Sequence, residues 1–257
     1  VFDRFSDHWQ QTLGWQPDSE QEQGFNLLYN LVLEGNQTQN LTRITTPEDF
    51  WEKHLWDSLR GVLPFWDQRD LKVIDIGTGA GFPGLPISIA QPTWQLTLLD
   101  SRHKKTAFIA TTAAAMGLKN IAAVTGRAED ISQSKPHAHA YDLALIRAVG
   151  NAGLCAQYAL PFVKLGGFAV LYRGQWNQAE QDDLQQACRS IELSIVQLQS
   201  PNPSPSRSPI CFAFCQGRWL CGVVSRSVEP SRTRRSATSL SIDRVIDRAI
   251  TITQPVA

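Results

Sequence analysis

Residues 73–84 read VIDIGTGAGFPG, an apolar run that breaks into a turn with glycine at positions 77, 79 and 81 before apolar sequence resumes. A short β-branched run followed by a glycine turn and a helical stretch is the opening of a βαβ unit, because only a chain free of side chains turns that tightly from strand into helix. The next apolar run, QLTLLD, closes on Asp100, nineteen residues after Gly81. That places a carboxylate at the end of the second strand, where it can accept hydrogen bonds from ribose hydroxyls. The same alternation continues downstream. It predicts strands over 71–76, 95–99, 121–125, 141–146 and 167–172, with helices near 84–90, 104–116, 152–161 and 177–189. The fold class expected is α/β, a mainly parallel sheet of the seven-stranded type with helices on both faces.

The loop chemistry narrows the ligand. A phosphate-cradling loop needs Lys-Ser or Lys-Thr after its last glycine, and Phe82 and Pro83 stand there instead. A dinucleotide stays open, although the spacing is G-x-G-x-G and not G-x-G-x-x-G. Asp75 lies just before the turn. A carboxylate there repels a pyrophosphate and attracts a sulfonium and an α-amino group, which favours S-adenosylmethionine. The structural reading of Asp75 is a residue that caps the turn, and that of Asp100 is a helix cap with Ser101.

Composition excludes several classes. The 257 residues carry 24 Lys and Arg against 24 Asp and Glu, so any nucleic-acid contact must use a local patch. The five cysteines are odd in number and irregularly spaced, which suits a reducing compartment. Cys211, Cys215 and Cys221 match no zinc pattern, and no metal is expected. The opening stretch VFDRFSDHWQ has no apolar signal region, and no run of about eighteen apolar residues occurs. A cytoplasmic protein without membrane contact or an obligate protein partner is expected. The first residue is Val1, consistent with a missing start.

Residues 1–66 are expected to form a helical extension on the core. They hold five of the eight tryptophans, Trp9, Trp15, Trp51, Trp56 and Trp66, read as packing residues. One helix is expected over 20–34 with Gly35 ending it, and another from an N-cap at Thr46 to about Gly61. The core domain should span 67–225, with 200–225 atypical because SPNPSPSRSP interrupts it. Residues 226–257 read as a poorly ordered or degenerate tail.

Seven segments then occur in order: NLTRI (40–44), WEKHLWDSL (51–59), VIDIGTGAGFPGLPISI (73–89), LLDSRHKKTAFI (98–109), GRAED (126–130), LIRAV (145–149) and YRG (172–174). On these the chain resembles the RsmG (GidB) family of bacterial small-subunit rRNA methyltransferases, which act on guanine N7. The resemblance implies a class I, Rossmann-like S-adenosylmethionine-dependent methyltransferase fold. It implies cofactor contacts at Gly77, Phe82, Ala128, Glu129 and Arg147, and ribose binding at Asp100. Asp75 and Gly79 join them from the loop itself. The implied partner is 16S rRNA or a small ribosomal subunit particle. Ile146 departs from the small or hydroxyl residue common before the arginine, Arg173 replaces a frequent lysine, and residues 200–257 do not match the family's ending.

Candidate positioning residues are Asn40, able to bond the guanine edge, and His54 and Asp57, which share a helix face with Ser58 at helical spacing. Their structural readings are a turn residue and a buried polar pair. Arg102, Lys104 and Lys105 beside His103, together with Arg127 and Arg173, form the basic rim expected to neutralise rRNA phosphates; a solvated helix start is the plainer reading. A same-fold enzyme acting on a small molecule or protein, an NAD-dependent oxidoreductase, and a cofactor binder without catalysis remain the competing readings.

Overall fold

The structure is a computed structural model that describes residues 1–174, 177–189, 194–197, 210–212 and 222–225. By its contacts the chain sorts into two units. The first joins Val1–Leu63 to Gln68–Ala128, and the second joins Pro64–Asp67 to the described residues from Glu129 onward.

In the first unit three strands pair in parallel. β1 (Lys72–Ile76) lies against β2 (Gln95–Asp100) with Val73 opposite Leu96, and β2 lies against β3 (Ile121–Thr125) with Leu96 opposite Ile121. Val73, Ile74, Leu98 and Leu99 are buried on successive residues, as a parallel sheet covered on both faces requires. The helices of this unit are α1 (Ser6–Leu13), α2 (Ser19–Asn36), α3 (Pro47–Phe50), α4 (Asp57–Arg60), α5 (Gly84–Ala90) and α6 (His103–Ala115). α2 starts at a capping box, in which the Asp18 carboxylate accepts from Gln21 N and the Gln21 side chain accepts from Asp18 N. Thr46 caps α3 as the sequence suggests, with Pro47 in its first turn.

Two helix expectations need correction. Gly35 does not end its helix; α2 runs through it to Asn36. A Cβ at Gly35 would lie 2.5 Å from Cε2 of Phe108 and 2.8 Å from Cδ1 of Leu41, so the glycine is there for close approach to α6 and the following loop. Between α3 and α4 the residues Trp51–Trp56 form a π segment, where one extra residue per turn alters the face that regular spacing assigns to His54 and Asp57.

The amino-terminal helices share an aromatic core. Phe5 stacks on Trp51 at 4.7 Å, Trp9 meets Trp51 edge-on at 5.1 Å, and Phe50 meets Tyr29 at 4.9 Å. Trp9, Trp51 and Trp56 are buried and Trp15 and Trp66 half-buried, which bears out the packing reading.

In the second unit β4 (Tyr141–Arg147) pairs in parallel with β5 (Val163–Tyr172). The β5 strand begins four residues before the expected 167 because the pairing slips between Tyr141 and Leu143, and Gly166, at φ +76°, sits opposite that irregularity. Helix α8 (Ala152–Ala159) stops short of the expected 161: Leu160–Phe162 tighten into a 3₁₀ turn at Pro161, which has no N–H to continue the ladder. Short helix α7 (Ala128–Ile131) and α9 (Gln178–Arg189) complete the helices among the described residues. Strands β6 (Ser194–Gln197), β7 (Ile210–Phe212) and β8 (Gly222–Ser225) are antiparallel additions, and β7 and β8 share one edge of β5. Eight strands are therefore present among the described residues where a seven-stranded type was expected. The tail 226–257 lies outside them.

Replacing Gly35 by Ala should lower stability by about 1–3 kcal/mol through overpacking against Phe108. Alanine is the better helix former by about 1 kcal/mol, so a stability gain in denaturant unfolding would show that the close approach is not what selects glycine.

Candidate functional site

Asp75 is the last polar residue of β1 and is 1% exposed. Its Oδ2 accepts from Thr78 Oγ1 at 2.6 Å and from Gly84 N at 2.9 Å. One carboxylate oxygen thereby clamps both ends of the glycine loop, the capping role weighed for it in the sequence. Gly77 N and Thr78 N both donate to Leu99 O, at 2.8 and 3.1 Å, which ties the loop to β2. Gly77, Gly79 and Gly81 all have positive φ. They differ in surroundings: a Cβ on Gly81 would strike Leu85, whereas one on Gly79 would meet nothing nearer than Gly77 O at 4.0 Å. The loop is thus open at Gly79, where a ligand needs side-chain-free approach.

Asp100 ends β2 beside that opening. Its Oδ2 accepts from Gly79 N at 3.0 Å and its Oδ1 from Arg102 N at 2.9 Å. Two fixed donors lock the carboxylate's orientation and leave further lone pairs on each oxygen, since a carboxylate accepts about four hydrogen bonds. The Asp100 carbonyl accepts from Gly126 N at 3.1 Å, which brings the approach to Arg127 and Ala128 beside the same strand end.

Phe82 is packed inward from the glycine loop. Its ring is 5% exposed, stacks on the His54 imidazole at 4.1 Å and 6°, and meets Phe50 edge-on at 5.6 Å. The ring joins the loop to the aromatic core. His54 Nε2 lies 2.9 Å from Thr42 Oγ1, so the same imidazole also holds the segment 40–44. Asn36 Oδ1 accepts from Leu41 N and Thr42 N at 2.8 and 3.0 Å, and Tyr29 donates to Thr45 O at 2.8 Å. Burial, followed by the charge of Glu48, raises the Tyr29 pKa. Asn40 is exposed, and Asp57, first residue of α4, is half-buried.

The basic residues separate into two groups. Arg102, Lys104 and Arg127 are exposed. Lys105 is half-buried and donates from Nζ to Asn40 O at 3.0 Å; burial pulls its pKa down while Asp100 pulls it up. In the second unit Arg147 ends β4 half-buried, just before Ala148 at φ +55°, a conformation rare for a residue with a side chain. Glu129 is exposed. Arg173 does not stand on a phosphate-facing rim: its side chain is 12% exposed, pairs with Glu180 at 2.9 Å and donates to Gly150 O. Arg173 Nη1 also lies 3.6 Å from Cys155 Sγ. The arginine braces the turn after β4 against α9, and the buried Cys155 thiol has its pKa raised by that burial.

The profile of the family described as rRNA small subunit methyltransferase G matches residues 21–205. The chain belongs to that family. It is 57% identical over 190 residues to the ribosomal RNA small subunit methyltransferase G of Gloeobacter violaceus, covering 74% of this chain and 76% of that protein. It is 50% identical over 200 residues to the protein of the same name from Nostoc punctiforme, covering 75% and 82%. A solved O-methyltransferase from Bacillus cereus in complex with SAH shares the fold, at TM-score 0.53 and 16% identity, over 83% of this chain and 97% of that one. The class I methyltransferase fold expected from the sequence is therefore the fold of this chain.

Thr78, Gly84, Thr42 and Asn36, none of them marked by a motif's chemistry, hold the glycine loop and segment 40–44 in place. Thr78 follows Asp75 by three, the ordinary reach of an aspartate capping its own turn, and that spacing was available as a signal. The Asn36 and Thr42 bonds depend on how a loop folds back, which spacing does not reveal. Among the described residues no group of three His, Cys, Asp or Glu side chains is arranged to hold a metal. The Cys211, Cys215 and Cys221 side chains lie outside them. No helix among the described residues is long and apolar enough to cross a membrane.

Arg173→Ala should cost about 3 kcal/mol or more, because it strands a mostly buried Glu180 carboxylate. A double-mutant cycle with Glu180→Ala in denaturant unfolding should show coupling above about 1 kcal/mol; additive effects would return Arg173 to the solvent-facing rim.

Proposed function

We propose that this chain transfers a methyl group from S-adenosylmethionine to N7 of a guanine in 16S rRNA, as naked RNA or within a small ribosomal subunit particle. The observation that carries the reading is the preset Asp100 carboxylate beside the open glycine at position 79. An adenosine ribose supplies two adjacent hydroxyl donors, and Asp100 has the lone pairs for both while Gly79 N and Arg102 N keep it from turning away. Gly77 and Gly79 would border the cofactor. Ala128, at the start of α7, would lie near the adenine. Asp75 acts by keeping the loop closed at its base, and Phe82 by anchoring the loop through its ring.

Bound S-adenosylmethionine supplies an electrophilic methyl group on a sulfonium. Guanine N7 has an exposed lone pair and no proton to lose, so this chain needs no general base. Its residues have to align two reactants, and alignment alone can lower a barrier by up to about 7–11 kcal/mol. Asn40, exposed on a loop bound to Lys105, would hydrogen-bond the guanine edge, with His54 and Asp57 as further positioning candidates. Arg102, Lys104 and Arg127 are the exposed cations suited to RNA phosphates. A 16S rRNA substrate would place the chain in the cytoplasm. The helical extension at 1–66 and the methyltransferase domain at 67–225 remain the proposed functional division.

The decisive test is methyl transfer from labelled S-adenosylmethionine to small-subunit RNA taken from a strain lacking the enzyme. Label on another base atom, or only on protein, would refute the reading. Gly79→Val should abolish cofactor binding in calorimetry, since the added side chain fills the open approach and must also adopt a φ of +61°. Retained affinity would show that the cofactor does not pass this turn. Arg102→Ala and Lys104→Ala should each flatten the salt dependence of RNA binding by about 0.7–0.9 in log–log slope.

A further inference from the structure

Residues 40–44 are held by far more side-chain bonds than a connecting loop requires. Asn36 takes two of its main-chain N–H groups, and Lys105 Nζ takes the Asn40 carbonyl. Thr42 Oγ1 accepts from Ile44 N at 3.0 Å and meets His54 Nε2. Just beyond, Tyr29 holds Thr45. Two of these anchors reach the cofactor elements directly. Lys105 belongs to the helix that follows Asp100 and feels its charge, and His54 stacks on Phe82 of the glycine loop. Fixing a backbone costs conformational entropy, and here that cost is met before any substrate arrives.

The side chains that this segment leaves outward are Asn40 and Arg43, both exposed. Among the described residues no hydrogen bond or ion pair engages the Arg43 guanidinium. A rigid loop, tied to both sides of the methyl-donor site and presenting an amide and a guanidinium three residues apart, has the chemistry to grip a nucleotide: the amide for a base edge, the guanidinium for a phosphate. Resting on the functional reading above, we propose that Asn40–Ile44 is a preorganised RNA-reading loop in which Arg43 binds a phosphate of the RNA segment carrying the target guanine. Lys105 and Thr42, the latter through His54, are positioning residues that set this loop against the cofactor.

The test measures binding of a small-subunit rRNA transcript against salt, cofactor binding by calorimetry, and methyl transfer, for the full chain and its variants. Arg43→Ala should weaken RNA binding and reduce the log–log salt slope by about 0.7–0.9, the loss of one phosphate contact. Arg43→Lys should restore the slope, and cofactor affinity should stay unchanged in both. Lys105→Met and Thr42→Val should lower kcat on RNA while leaving the salt slope as in the parent chain, which a lost phosphate contact would not do. A parent chain that methylates rRNA, with an Arg43→Ala slope equal to its own, overturns the loop assignment and leaves the functional reading standing. A parent chain that transfers no methyl group to rRNA overturns both.

Discussion

The double hydrogen bond to one oxygen of Asp75 is the constraint on which the donor site depends. A glycine loop gains its tight curvature by giving up side chains, and so keeps few side-chain means of holding that curvature. Asp75 supplies one from β1 by binding Thr78 at the start of the turn and Gly84 at the head of α5. Leu99 O fixes the loop from the neighbouring strand and Phe82 from the aromatic core. With the loop set from three sides, Gly79 N is available at a defined place to orient the Asp100 carboxylate.

The amino-terminal helices take part in this arrangement. Their aromatic side chains build a rigid cluster against α5 and the loop, and Gln21 reaches Ala90 O at 3.2 Å. The π segment at Trp51–Trp56 carries the His54 ring that packs against Phe82. One imidazole then contacts both the glycine loop and segment 40–44, so a helix outside the sheet links the two.

Electrostatics in this chain are local. A formal charge of zero hides a division of labour among its cations. Arg173 and Lys105 are spent on internal carboxylate and carbonyl partners, whereas Arg102, Lys104 and Arg43 remain at the surface. Sequence alone weights such residues equally, because a basic side chain on a helix start looks the same whether it bonds a phosphate or a main-chain carbonyl.

What the order of residues determined by itself was whatever depends on near neighbours: β1 to β4 within about a residue, the Thr46 cap, the glycine turn, and the carboxylate closing β2. These follow from side-chain period and from the steric freedom of glycine, both properties of a short stretch of chain. The tertiary structure alone decided matters that turn on partners distant in sequence. Gly35 lies inside its helix because Phe108 approaches it, Phe82 faces the core because His54 stacks on it, and Arg173 faces inward because Glu180 meets it. Each is a packing outcome between residues brought together by folding, and no local pattern carries that information.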